Sequence, residues 1–472
     1  MDNIRSKNPF QVFTESENKS WCPVPWVACS VATNGHYRLC VQANTDRKSR
    51  GLFYDSDNKP MKAGELSMRE SRNAPLVNEV RLAMLEGRDH PACTRCAGDE
   101  RSGTLSRRAL DRYNHVTVSK NISFEKCKAK TKPDGSINHE DFPLKDLDLR
   151  MGNRCNLKCR MCFPGESSYW YSEWLETISK KFNSGVDQVT LERNSRGNVV
   201  SSNDTLDWAK DSKLIPNLFS DTPELQNMAI VGGEPLLIEE HCQALMSFVE
   251  QNKASEITLS YNSNLTVLPK KFLDLWKEFK EVKIGYSIDG IGPVNDYIRY
   301  PSKWESIVRN IEKLNEAEGR YDVWPAVTVM AYNVLYVPEI IKWQIESNYG
   351  YQNREPLTLF MVQHPLRFPS EFSTQILPKS VKDVVAQKFL DFQSHWFESY
   401  VLDRVPAAKQ TLWRERVKEL LSSITDHMYA LDASSELPQF FERTEVMDKY
   451  REQSFSEALP ELYELLKPYQ NK

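Results

Sequence analysis

The stretch Arg154–Cys162 reads "RCNLKCRMC" and puts Cys155, Cys159 and Cys162 into one short loop of a 472-residue chain that holds 10 cysteines. Just upstream, "LKDLDLRM" (144–151) alternates apolar and polar residues as a strand does. The thiols therefore follow the C-terminal end of a strand, where a β/α sheet carries its functional loops. Three thiolates at spacings of four and three can each bind one iron of a [4Fe–4S] cluster and leave the fourth iron open. A structural zinc site instead closes with four ligands and usually draws them from C-x2-C or C-x4-C pairs. Inert core cysteines are the third alternative.

Outward from that loop, short apolar runs alternate with amphipathic stretches up to about residue 365. "NMAIVGG" (227–233), "EITLSYN" (256–262), "VKIGYSI" (282–288), "WPAVTVMAYN" (324–333) and "LTLFMVQ" (357–363) read as further strands. "HCQALMSFVEQN" and "KWESIVRNIEKLN" read as helices between them. Repeated β-α units imply a parallel sheet with right-handed crossovers, and six of them imply an α/β fold of the partial (β/α)6 barrel type. The polar stretch "KAKTKPDGSINHEDF" (128–142) reads as a linker. The expected division is an N-terminal region over 1–140, a barrel over 141–370 and a helical C-terminal extension over 371–472. In that extension Val385, Phe389, Phe392 and Trp396, then Trp413, Val417, Leu420 and Ile424, recur at helical spacing. There is no fixed-period repeat or low-complexity tract.

Charge excludes some classes of partner. Lys plus Arg number 61 against 65 for Asp plus Glu, so no global basic field draws a nucleic-acid backbone or an anionic membrane. The opening "MDNIRSKNPFQVF" lacks the features of a secretory signal. The window from Trp324 is broken by Pro325 and Pro338 and too mixed to span a bilayer. A cytoplasmic location is expected, and clustered thiols there favour metal or redox chemistry over disulfides.

C-x3-C-x2-C after the first strand resembles the radical S-adenosylmethionine superfamily. The resemblance implies that the open iron chelates the amino and carboxylate groups of S-adenosylmethionine. It also implies reductive cleavage to methionine and a 5′-deoxyadenosyl radical that abstracts hydrogen. The family usually has an aromatic residue just before the third cysteine; here Met161 stands there and can pack on adenine through its thioether. "VGGEP" resembles the family's GGEP motif, with Gly232, Gly233, Glu234 and Pro235 in the cofactor site. There the glycines would let backbone approach the ligand, and Glu234 would accept from its ammonium group. Asn264 in "YNSNLT", Ser287 and Asp289 in "GYSIDG", and Arg299 in "NDYIRY" are further cofactor-binding candidates by the same resemblance. A simple turn, a capped turn and a surface ion pair are the ordinary alternatives for these motifs. No catalytic side chain is assigned beyond the cofactor site.

The N-terminal region holds six more cysteines. Cys22, Gly35 and Cys40 form C-x12-G-x4-C around an Asn34-Gly35 hairpin signal, and Cys93 and Cys96 form C-x2-C. The first pattern resembles the hairpin of SPASM and twitch domains, which carry an auxiliary iron–sulfur cluster; here the module precedes the barrel. The resemblance implies a closed site of Cys22, Cys40, Cys93 and Cys96, with Cys29 either core or a ligand in place of Cys22. Four thiolates with a C-x2-C pair also suit zinc. Cys242, with Leu245, Met246 and Val249, reads as core, and Cys127, His36 and His90 carry no ligand role.

These observations point to a radical enzyme that uses a [4Fe–4S] cluster with an open iron, S-adenosylmethionine and an auxiliary iron–sulfur cluster. Its reductant would be a flavodoxin or ferredoxin, and its substrate a peptide, a protein or a small metabolite. A groove lined by the aromatic tail and by "RNSRGNVVSSNDT" would suit a peptide. The competing classes are an RNA-modifying radical enzyme and a non-catalytic iron–sulfur or zinc protein.

Overall fold

The structure, a computed structural model, describes residues 18–43, 51–63, 65–101, 106–179, 189–202, 204–210, 222–347 and 362–470. In chain order the N-terminal region supplies β1 (Ala28–Val31), β2 (Tyr37–Arg38), α1 (Pro75–Leu85), α2 (Thr94–Arg101) and α3 (Arg107–Arg112). The barrel begins with β3 (Asp146–Arg150), and a small hairpin of β4 (Leu191–Arg193) and β5 (Val199–Ser201) follows. Then come β6 (Asn227–Val231), α4 (Glu239–Glu250), β7 (Thr258–Ser263), α5 (Lys270–Trp276) and β8 (Glu281–Ser287). α6 (Trp304–Glu316), β9 (Tyr321–Val329), α7 (Val337–Ser347) and β10 (Val362–Pro365) complete the alternation. The C-terminal extension is built on α8 (Lys379–Phe392), α9 (Ala407–Tyr429) and α10 (Leu437–Arg451). No described helix is long and apolar enough to cross a membrane.

The strands β3, β6, β7, β8, β9 and β10 pair in parallel in that order, as the six apolar runs imply. Of the run read at 357–363, residues 357–361 lie outside the described residues. Side chains alternate across the sheet. Leu147, Leu149, Met228, Ile230, Leu259, Tyr261, Val282, Ile284 and Val327 are buried on the face that the helices cover. His241 of α4, for instance, stacks on Phe272 of α5 at 4.9 Å and hydrogen-bonds the Tyr261 hydroxyl at 2.9 Å. The other face is polar and partly open. A Cβ on Gly285 would meet Asn262, Trp324 and Ala326, so these residues share that concave face, and Asn262 is exposed on it.

Near residue 140 the sheet continues instead of ending. β1 pairs in parallel with β3 over Ala28↔Asp146 to Val31↔Leu149, and β2 closes the edge as an antiparallel partner, giving eight strands. Asn34 and Gly35 form the expected turn, with Gly35 at φ +79°. The 128–142 segment is packed, contrary to its composition. Its Ile137 and Phe142 are buried, and the Gly135 carbonyl accepts from buried Arg81 at 3.1 Å. A polar segment can be immobilised when its backbone satisfies a buried cation.

The aromatic tail packs on itself. Phe392 stacks on Trp396 at 5.5 Å and Trp396 on Tyr400 at 5.6 Å, while Val385, Phe389, Trp413, Val417 and Ile424 are buried. Leu421, one place beyond the expected Leu420, takes the buried position. In α4, Cys242 and Leu245 are buried as expected, but Met246 is exposed.

Candidate functional site

The cysteine loop is pinned before it reaches its thiols. Buried Asn153 donates to the Pro164 carbonyl at 2.6 Å and the Tyr171 hydroxyl at 2.8 Å, tying the two ends of the loop together. Lys158 N donates to Tyr300 O at 2.8 Å and Arg160 N to Ile298 O at 2.9 Å. That antiparallel pairing sets Cys159 opposite Arg299.

The three thiols are embedded in hydrogen bonds. Cys155 Sγ accepts from Leu157 N at 3.5 Å and Asn264 Nδ2 at 3.9 Å. Burial, reinforced by the neighbouring Cys159, pushes the bare Cys155 thiol up to about 12. Cys159 and Cys162 share a hydrogen bond that holds Cys159 below and Cys162 above the ordinary thiol range. The Arg299 charge acts on both. Metal binding would take the protons held on Cys155 and Cys162, and the arginine favours thiolates at Cys159 and Cys162.

The GGEP loop lies directly against this one. Gly232 (φ +92°) and Gly233 (φ +50°) hold left-handed backbone, and a Cβ on Gly233 would collide with the Arg154 carbonyl. Glu234 N donates to that carbonyl at 2.8 Å. What the glycines admit is thus the backbone of the cysteine loop. Glu234 is fully buried and accepts from Ser263 Oγ at 2.8 Å, Asn264 N at 2.7 Å and Leu236 N at 3.2 Å. Burial pushes its carboxyl up to about 7 while these donors oppose the rise. A carboxylate is acceptor-only and an amide is not. Glu234→Gln therefore sets an N–H against a donor and lowers stability by about 1–3 kcal/mol, read as a shift in the denaturant midpoint. Pro235 is buried, and its carbonyl bonds the His241 ring at 3.0 Å.

Among the other expected residues, Asn264 reaches Cys155 and also bonds Asn156 Oδ1 at 3.0 Å. Asp289 is fully buried, accepts from Thr328 N at 2.8 Å and pairs with Arg299 at 2.7 Å, so the ion pair is internal. Ser287 is half-buried at the end of β8, and Met161 is half-buried within the cysteine loop.

The sequence reading passed over a set of charged residues behind the loop. Glu173, in helical residues 168–178, is fully buried between Lys158 Nζ at 2.8 Å and Arg451 Nε at 2.9 Å. Arg160 pairs with Asp448, donates to Gln453 Oε1 at 3.0 Å and lies 3.6 Å from the Tyr297 ring centroid. Trp170 Nε1 donates to Cys159 O at 3.1 Å, and the Arg451 guanidinium lies 4.6 Å from a Trp170 ring centroid. α10 thus grips the cysteine loop from nearly 300 residues away in sequence. One signal was available: two cations interleaved with three clustered cysteines in a buried loop need buried anions.

The N-terminal cysteines also converge. Cys22, Cys40, Cys93 and Cys96 line one cavity with Arg107, Arg108 and Asp111 of α3; it encloses about 410 Å³, part of it open solvent. Burial, with the neighbouring thiols adding to it, pushes Cys93 up to about 12, and burial pushes Cys96 up to about 11. Cys29 sits elsewhere, 3.8 Å from Ser71 Oγ, so Cys22 is the cysteine at this cavity. Arg38 in β2, two residues before Cys40, donates to Asp148 of β3 at 3.1 Å and ties the cavity to the barrel. Among the described residues, no three His, Cys, Asp or Glu are gathered tightly enough for a single ion. A cuboidal cluster takes a wider spread, because each thiolate binds its own iron.

Residues 149–339 match the family described as Radical SAM superfamily, so this stretch is a radical SAM domain. A domain of this class implies S-adenosylmethionine and a [4Fe–4S] cluster as its cofactors. No curated protein matches the chain. Solved structures that share partial likeness include anSMEcpe with bound S-adenosylmethionine, 16% identical over 55% of this chain and 60% of that one, TM-score 0.32. Streptococcus suis SuiB is 14% identical over 74% of this chain and 70% of its own, TM-score 0.33. Streptococcus suis SuiB bound to the precursor peptide SuiA is 13% identical over 65% and 63%, TM-score 0.27. The chain spans about 60% of the length of anSMEcpe.

Proposed function

We propose that this protein cleaves S-adenosylmethionine reductively at a [4Fe–4S] cluster held by Cys155, Cys159 and Cys162, and abstracts hydrogen from a substrate. The observation that carries the reading is the gathering of these three thiols, Asn264 and the Arg299–Asp289 pair at the C-terminal end of a parallel sheet. When bound, the cluster supplies the electron for cofactor cleavage. The chain's own residues do the rest. Glu234 fixes the Asn264 backbone, Asn264 donates to Cys155, and Asp289 orients Arg299 so that its charge favours the Cys159 and Cys162 thiolates. The open concave face with Asn262, Ser287 and Trp324 would receive the substrate, and Met161 would lie against the adenine. Formation of 5′-deoxyadenosine by reduced protein tests this; none from iron-loaded protein overturns it.

An auxiliary iron–sulfur cluster on Cys22, Cys40, Cys93 and Cys96 would accept the substrate electron, making the net reaction an oxidation. Four thiols gathered at one cavity that Arg38 ties to β3 support it. Cys93→Ala with Cys96→Ala should then keep cofactor cleavage while product falls below detection. Loss of neither rejects that role. A cytoplasmic flavodoxin or ferredoxin would reduce the primary cluster. The substrate would be a peptide, a protein or a small metabolite, which deuterium transfer from candidates into 5′-deoxyadenosine would separate. The aromatic tail gives the peptide no support, because its rings stack on one another.

A further inference from the structure

We infer that the Lys158–Glu173–Arg451 triad supplies the counter-charge of an anionic cluster on the Cys155, Cys159 and Cys162 thiolates, and so makes that cluster easier to reduce. The inference rests on the cluster assignment proposed above and adds to it a role for the C-terminal helix α10.

The charge balance behind the loop is uneven. Arg160 is neutralised by Asp448 and Arg299 by Asp289, one cation to one anion in each case. Glu173 alone faces two cations, Lys158 at 2.8 Å and Arg451 at 2.9 Å. The triad therefore keeps one net positive charge, and the Glu173 and Arg451 side chains are completely buried. Arg451 Nη1 and Nη2 are buried without a hydrogen-bond partner among the described residues. A buried guanidinium with spare donors is costly unless a negative group lies near it.

The triad is also close to the loop. Lys158 is the residue before Cys159, and the Arg451 guanidinium rests on the indole that donates to the Cys159 carbonyl. Three thiolates on an oxidised [4Fe–4S] core leave one net negative charge, and an electron from the reductant adds a second. A fixed positive charge in a poorly screened interior stabilises the second charge more than the first. Arg451 is thus a positioning residue that acts through charge.

The test is an EPR-monitored redox titration of anaerobically reconstituted full-length protein, reading the signal that a Cys155/Cys159/Cys162→Ala variant lacks. Arg451→Met should lower the reduced-to-oxidised ratio at a fixed potential about tenfold, a shift of about 59 mV to more negative potential. Arg451→Lys should stay within about threefold of the parent, and Lys158→Met should move the ratio in the same direction as Arg451→Met. An iron-replete Arg451→Met protein with an unchanged ratio overturns the inference, as does Arg451→Lys moving as far as Arg451→Met. If Arg451→Met takes up too little iron, Lys158→Met and Arg451→Lys decide by the same signs. Iron that is fully retained in the Cys155/Cys159/Cys162→Ala variant marks a failure of the cluster assignment itself.

Discussion

Replacing Cys155, Cys159 and Cys162 together with Ala should lower the iron of anaerobically reconstituted protein from about eight atoms per chain to about four, and should abolish cleavage of S-adenosylmethionine. The size of the loss follows from the loop. Cys155 is held by local backbone and by Asn264, and no other cysteine shares the loop, so no replacement ligand is at hand there. The remaining four irons would belong to the cavity of Cys22, Cys40, Cys93 and Cys96. About four irons plus zinc in the parent protein, with the iron lost from the variant, would make that second site zinc. Iron content that ignores the three substitutions would reject the primary site.

Glu173→Ala lowers the free energy of unfolding by about 3–5 kcal/mol and strips iron from the primary site. Removing the carboxylate leaves Lys158 and Arg451 facing each other in a space that excludes water, and uncompensated buried charges carry costs of that order. Lys158 would swing out, the backbone pairing to Tyr300 would weaken, and Cys159 would lose its place opposite Arg299. Denaturant unfolding and iron analysis on the same preparation read both effects. An unchanged midpoint with full iron would show that the triad is dispensable.

Most of the architecture was legible because it rests on local rules. Period-two runs marked six strands, and intervening helical patterns made them parallel, since parallel neighbours need crossovers. The gathering of three thiols in one loop was legible because the spacing of cysteines is itself a local property. Glu234 was read for its chemistry rather than its surroundings. Its carboxylate accepts from three donors that arrive from two loops, and only the fold shows where those donors are. The 128–142 segment was misread as a linker for a similar reason, because its partner Arg81 lies about 50 residues away.

The sequence by itself determined the sheet, its direction and the two groups of clustered thiols, because periodicity and spacing act over a few residues. Only the tertiary structure decided three other matters. It set β1 beside β3, which joins the region that carries the N-terminal cysteines to the sheet that carries the primary loop. It selected Cys22 over Cys29 at the cavity. It brought Asp448 and Arg451 of α10 behind Cys159. These are contacts between residues far apart in the chain, and buried charge pairs carry no periodic signature that would announce their partners.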